Sequence, residues 1–172
     1  SGVGRTGTFF AYEQFNITPD ILCFAKGMAN GFPIGGILTS NKISDSMTVG
    51  SHGTTFGGGP IACAIGSRVV DIISKKTFLT NVQRKEKRLV KKLIEINLSY
   101  QCFNQISSAG LWISVELANI DVNDLIKLSH RNGLMVLKAN ATTIRFSPSL
   151  IIEDLLIDKG LEIFKKSILQ LQ

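Results

Sequence analysis

Apolar residues follow two different rhythms along this chain. Between residues 20 and 39 they form short unbroken runs, Asp20-Ile21-Leu22-Cys23-Phe24-Ala25 after Pro19 and then Pro33-Ile34-Gly35-Gly36-Ile37-Leu38-Thr39. Runs of that length between turn residues predict strands buried on both faces, and glycines inside the second mark a close approach by another backbone. After Gly57-Gly58-Gly59 the apolar spacing becomes helical. Pro60 suits the first position of a helix through Ile61 to Ser74, and a second helix is predicted from about Thr77 to Ile96. Beyond Asn97 short elements alternate: strands at 101–106, 111–117, 134–137 and 142–146, a helix over 122–131 ended by Asn132-Gly133, and a closing helix over 153–169. The pattern predicts an α/β fold in which the helix near residues 77–96 bridges two subdomains.

Composition narrows the class. Hydrophobic residues at 44% against 19% charged describe a globular chain that buries a core, not a disordered one. The net charge of +6 is concentrated in Arg84 to Lys92, RKEKRLVKK. No aromatic residues are interleaved there, so the solvated face of an amphipathic helix accounts for the run better than a nucleic-acid site. Cys23, Cys63 and Cys102 are scattered in apolar surroundings, with no C-x-x-C pair and no histidine at metal spacing. Buried thiols in a reducing compartment, and no metal, are therefore expected. No apolar run approaches bilayer length and no charged leader precedes one, so the expected setting is cytoplasmic, without a membrane partner.

Near the start stands GVGRTGTF, Gly2 to Phe9. Its glycines fit a dinucleotide loop, and its letters are similar to the phosphate loop of protein tyrosine phosphatases. The first reading requires a strand before Gly2 and a helix after Gly7, neither of which the sequence suggests. The second requires a thiolate nucleophile six positions before Arg5, which lies off the chain. A tight loop with Arg5 in a local ion pair is the reading left by the residues alone.

Lys26 is the most informative residue. An isolated lysine ending so apolar a run either points inward, where burial favours the neutral amine that Schiff-base chemistry needs, or snorkels to solvent. The surroundings favour the first. DILCFAKG (20–27), FPIGG (32–36), SHGTTFGG (51–58), GLW (110–112), GLMV (133–136) and IRFSP (144–148), in that order, closely resemble the class III aminotransferases that use pyridoxal phosphate. Within that family the likeness is greatest to the acetylornithine branch, where GVGRTGTFFAYEQF also has a counterpart. The resemblance covers essentially the whole chain.

The resemblance implies the later part of a fold type I large domain, residues 1–75, followed by the small C-terminal α/β domain. It implies that Lys26 anchors pyridoxal phosphate and shuttles a proton, and that Thr55, with Thr54 beside it, contacts the cofactor phosphate of a neighbouring subunit in a homodimer. Arg145 would hold the substrate carboxylate; an ion pair with Glu116 or Glu153 would satisfy the same guanidinium. His52 reads as a turn histidine, and Trp112 and Phe146 as core or pocket wall. The implied reaction moves the terminal amino group of N-acetylornithine, or of succinyldiaminopimelate, to 2-oxoglutarate. Other class III donors (ornithine, 4-aminobutyrate, a keto-amino acid) and a non-catalytic truncated chain remain as alternatives.

Departures from the family pattern are modest. Gly59 replaces a capping asparagine, Ala29-Asn30 replace glycines, and Ser149 replaces a proline. Family members also carry roughly as many residues again before Ser1, supplying an aspartate for the pyridine nitrogen, a stacking aromatic ring and a phosphate loop. Ser1-Gly2 resembles the end of the segment opened by that aspartate. The chain is thus expected to be a C-terminal part with little or no activity alone.

Overall fold

The computed structural model describes residues 2–172 and is a mixed α/β structure. Ser1 lies outside the described residues. Two compact units are present, one of residues 2–4 and Thr8–Leu79, the other of Arg5–Gly7 and Thr80–Gln172.

The first unit holds β1 (Ile21–Phe24), β2 (Gly36–Thr39), the single-turn α1 (Asn41–Ser44) and α2 (Pro60–Ile73). The two strands pair antiparallel, from Ile21 opposite Thr39 to Phe24 opposite Gly36, and with each other only. Gly36 is required because a Cβ there would meet the Phe24 ring at 2.6 Å. Their burial corrects the sequence expectation: β1 alternates exposed and half-buried positions, and Ile37 and Leu38 of β2 are exposed. An apolar run is buried on both faces only where layers cover both, and this pair packs on one side. Its core gathers Val3, Met28 and Ile73 with Phe9, Phe24, Ile34 and Val69. Pro60 opens α2 as predicted, and Gly59 before it provides no side-chain cap.

α3 (Lys76–Tyr100) contributes its first residues to this unit and the rest to the second. There β3 (Phe103–Ala109), β4 (Trp112–Leu117), β5 (Leu137–Lys138) and β6 (Thr143–Phe146) form an antiparallel sheet in the order β3-β4-β6-β5, accompanied by α4 (Val122–Arg131) and α5 (Asp154–Leu169). Strict alternation sends Ile113, Val115, Leu117, Ile144 and Phe146 into the core, where Leu93 of α3, Leu125 of α4 and Phe164 of α5 join them. Phe164 packs edge-on against Phe146 with centroids 4.9 Å apart. Asp121 caps α4 by accepting from the backbone N–H of Asn123 and Asp124. The strand expected over 134–137 shrinks to Leu137–Lys138. The Leu134 N–H is drawn to Ser129 O at 2.8 Å at the end of α4 and is lost to any ladder.

The basic run of α3 faces acidic partners on α5. Arg84 grips Asp154 with two nitrogens, at 2.6 and 2.8 Å, while Arg88 and Lys92 converge on Asp158. Lys85 is buried, its Nζ donating to Leu150 O at 3.3 Å, and burial lowers its pKa.

Arg5–Gly7 packs on the turn between β3 and β4. The Leu111 N–H donates to Arg5 O at 2.9 Å, and Gln83 Nε2 donates to Gly7 O at 2.8 Å. Gly110 makes this approach possible: its φ is +60°, and a Cβ would lie 2.3 Å from Arg5 O. Gly110→Ala combines a left-handed backbone with a clash and is expected to cost about 2–4 kcal/mol of stability in denaturant titration. Trypsin should then cut after Arg5 faster than in the parent chain.

Hydrogen bonds from Arg84 hold the Asp154 carboxyl below its ordinary value, and those of Arg88 and then Lys92 do the same for Asp158. A depressed folded-state pKa contributes stability above the unfolded value of about 3.9, which is lost as pH falls through the folded value. The thermal midpoint should therefore hold to about pH 5 and decline below about pH 4. Asp154→Asn with Asp158→Asn should lower it at neutral pH and flatten that acid decline; an unaltered decline would contradict the pairing.

Candidate functional site

Lys26 opens a 3-10 turn, Lys26–Ala29, immediately after β1. Met28 and Ala29 are buried and pin the turn to the core of the first unit. The turn closes through Met28 N–H to Ala25 O at 3.2 Å and Gly31 N–H to Lys26 O at 3.4 Å. Lys26 itself has φ 49°, a left-handed conformation costing a residue with a Cβ about 1–2 kcal/mol. Asn30 follows at φ 50°, where asparagine is tolerated in place of glycine.

The Lys26 side chain is exposed, which corrects the expectation of an inward amine. β1 is covered on one side only, through Phe24, and among the described residues nothing takes the Lys26 end of the strand out of water. Among the described residues no hydrogen bond or ion pair engages the Lys26 ammonium. A broad groove of about 710 Å³ lies against the far end of the turn, lined by residues that include Asn30, Phe32, Pro33 and Arg68, and Lys26 is not among them.

Thr54 and Thr55 lie in the exposed segment between α1 and α2, and no hydrogen bond engages either hydroxyl among the described residues. A Cβ at Gly57 would lie 2.1 Å from Thr54 Cγ2, so a larger residue there would require the Thr54 side chain to turn. Among the described residues no hydrogen bond joins this segment to Lys26. His52 is exposed, its Nδ1 3.4 Å from Ser51 Oγ.

Arg145 belongs to the second unit. Alternation along β6 puts it on the sheet face opposite the helices, in register with Ser114 of β4 and Leu137 of β5. Its guanidinium carbon lies 5.0 Å from the Trp112 ring centroid, a cation–π contact. It forms no ion pair with Glu116 or Glu153, and its buried Nε has no hydrogen-bond partner among the described residues. A cavity of about 330 Å³ opens beside it, walled mainly by apolar side chains such as Leu134, Leu137, Phe146 and Pro148.

Arg5 differs from its sequence reading. In place of an ion pair, its Nη1 donates to Leu111 O at 3.1 Å and to Pro148 O, and burial lowers its pKa. These acceptors are 106 and 143 residues away, beyond any local pattern. Trp112, read as core or wall, is the platform under Arg145. The cysteines also need correction, because Cys23 and Cys63 are exposed and only Cys102 is buried, with its thiol pKa pushed up by burial. An aromatic disulfide reagent should titrate two thiols quickly and the third only on unfolding.

Among the described residues, the Lys26 amine and the Thr54 and Thr55 hydroxyls have no hydrogen-bond partner, and the Arg145 guanidinium has no ion-pair partner. The profile of the family described as Aminotransferase class-III matches residues 1–168. The acetylornithine aminotransferase of Pseudomonas putida is 37% identical over 98% of this chain and 42% of its own length. The acetylornithine/succinyldiaminopimelate aminotransferase of Photorhabdus laumondii is 42% identical over 99% of this chain and 43% of its own. The Toxoplasma gondii ornithine aminotransferase, a structure with pyridoxal phosphate at partial occupancy in its active site, superposes with a TM-score of 0.92 at 27% identity, over 99% of this chain and 41% of its own. The chain thus spans less than half the length of each of these proteins. With the family profile matched from residue 1 to 168, this chain belongs to the class III aminotransferases.

Proposed function

We propose that this chain carries the cofactor lysine and the substrate-carboxylate arginine of a pyridoxal-phosphate aminotransferase that moves the terminal amino group of N-acetylornithine to 2-oxoglutarate. The observation that carries the reading is a lysine in a left-handed turn at the end of β1, without a hydrogen-bond or ion-pair partner among the described residues, in a chain 37% and 42% identical to relatives named as acetylornithine aminotransferases. Succinyldiaminopimelate is the second donor, on the name of the Photorhabdus relative. Ornithine is a further donor to weigh, given the fit to the Toxoplasma enzyme. A donor series in the holoenzyme separates them by kcat/KM.

On this reading the first unit, with residues to about 75, is the later part of the large domain, and the remainder is the linker helix and small domain. Pyridoxal phosphate, when bound, supplies an aldehyde that condenses with amines and a ring that draws electrons from the reacting carbon. Lys26 Nζ would be the residue that holds the cofactor, and its amine would accept and return the proton at the substrate carbon. The Thr55 hydroxyl, with Thr54 beside it, donates to the phosphate across the two-fold axis of a cytoplasmic homodimer. Arg145 would offer its planar fork to the carboxylate, and the Trp112 ring against it would limit the fork's rotation.

Incubation with pyridoxal phosphate, borohydride reduction and peptide mapping should place the adduct on Lys26. Lys26→Ala should lose that adduct while keeping the parent fold by circular dichroism. A label spread over the lysines of α3, with Lys26 unmarked, would contradict the assignment.

A further inference from the structure

Arg5 has no part in the reaction described above, yet its guanidinium reaches both segments that carry Arg145 and its platform. Leu111, whose carbonyl accepts from Arg5 Nη1, immediately precedes Trp112. Pro148, the other acceptor, is the third residue after Arg145. β4 and β6 run antiparallel, with Ile113 opposite Phe146 and Ser114 opposite Arg145. The start of β4 and the end of β6 therefore meet at one end of the ladder. Beyond the Ile113–Phe146 pair that ladder stops, and Arg5 ties the two departing segments together through one nitrogen.

Arg5 is itself anchored through its backbone and its neighbours. Its own carbonyl is held by the Leu111 N–H at 2.9 Å, Gly7 O is held by Gln83, and Gly110 leaves no room for the segment to shift toward it. Arg5 also faces neutral carbonyls in place of a carboxylate. Charge neutralisation alone would need one acid anywhere nearby, whereas two carbonyls from different segments fix a distance. We infer that Arg5 is a positioning residue: by joining Leu111 to Pro148 it sets how Trp112 and Arg145 stack, and through them the pose of the bound carboxylate.

The inference rests on Arg145 as the carboxylate holder, and the experiment separates the two. Trp112 is the single tryptophan of the 172-residue chain, so its fluorescence reports the stack directly. Glutarate is titrated into the full chain while Trp112 emission is followed, with unfolding measured separately by circular dichroism. The parent chain should respond saturably and Arg145→Gln should not. Arg5→Met should weaken apparent glutarate affinity about tenfold at a temperature where it is fully folded, the loss expected for hydrogen bonds from a charged donor. Arg5→Lys keeps the charge and donors in a more compact head and should recover about half of that loss on a logarithmic scale; a role confined to stability would not show such graded binding in folded protein. If Arg5→Met fails to fold, Arg5→Lys decides alone, by weakened binding with a native spectrum. Affinities within about twofold of the parent for the folded Arg5 variants, with Arg145→Gln silent, overturn the positioning role and leave Arg145 in place. A titration unchanged by Arg145→Gln, or absent in the parent chain, overturns the Arg145 reading and this inference with it.

Discussion

The alternation of side chains along β4 and β6 is the constraint from which the second unit follows. Ile113, Val115, Ile144 and Phe146 must share one face because they are buried against α3, α4 and α5. A period of two then leaves no choice for the residues between them. Trp112, Ser114, Glu116 and Arg145 are delivered to the opposite face, where the guanidinium stacks on an aromatic ring and forms no ion pair among the described residues. The apolar core thus places a cation where an anion can be received, and a one-residue slip of β6 would bury that cation and expose Phe146.

Two further sets of contacts hold this arrangement from outside the sheet. The arginines of α3 grip Asp154 and Asp158 on α5, locking together the helices that cover the buried face. Arg5 ties the end of the β4–β6 ladder, and Gly110 admits its segment. The first set is solvent-exposed and modest in energy. The second is shielded and local, and it touches the chain within three residues of both Trp112 and Arg145.

Much of the fold was legible from spacing alone. The helices over 60–73, 122–131 and 154–169 and the strands at 112–117 and 143–146 follow from periodicity and from Pro60 and Asn132-Gly133 as punctuation. Burial of β1 and of Lys26 was not, because an apolar run states that cover is needed without saying that this chain supplies it; Ile21, Ile37 and Leu38 remain exposed. Leu134 to Val136 looked like a strand, yet the backbone at Leu134 is used to finish α4. For the candidate site, family likeness singled out Lys26, Thr54, Thr55 and Arg145, whereas nothing local to GVGRTGTF could announce carbonyl partners more than a hundred residues on. The basic run was legible as one face of a helix, but its acidic counterpart on α5 was visible only once the two helices packed.

On the proposed reading the exposed Lys26 receives an aldehyde, and Arg145, with no ion pair among the described residues, receives a carboxylate. The most direct test of the carboxylate site is side-chain NMR of the chain on addition of glutarate, following the Nε–H of every arginine together with the Trp112 indole N–H. The account predicts that Arg145 and Trp112 shift together and saturate at one concentration. Shifts confined to Arg84 and Arg88 on α3, with Arg145 and Trp112 unmoved, would contradict it.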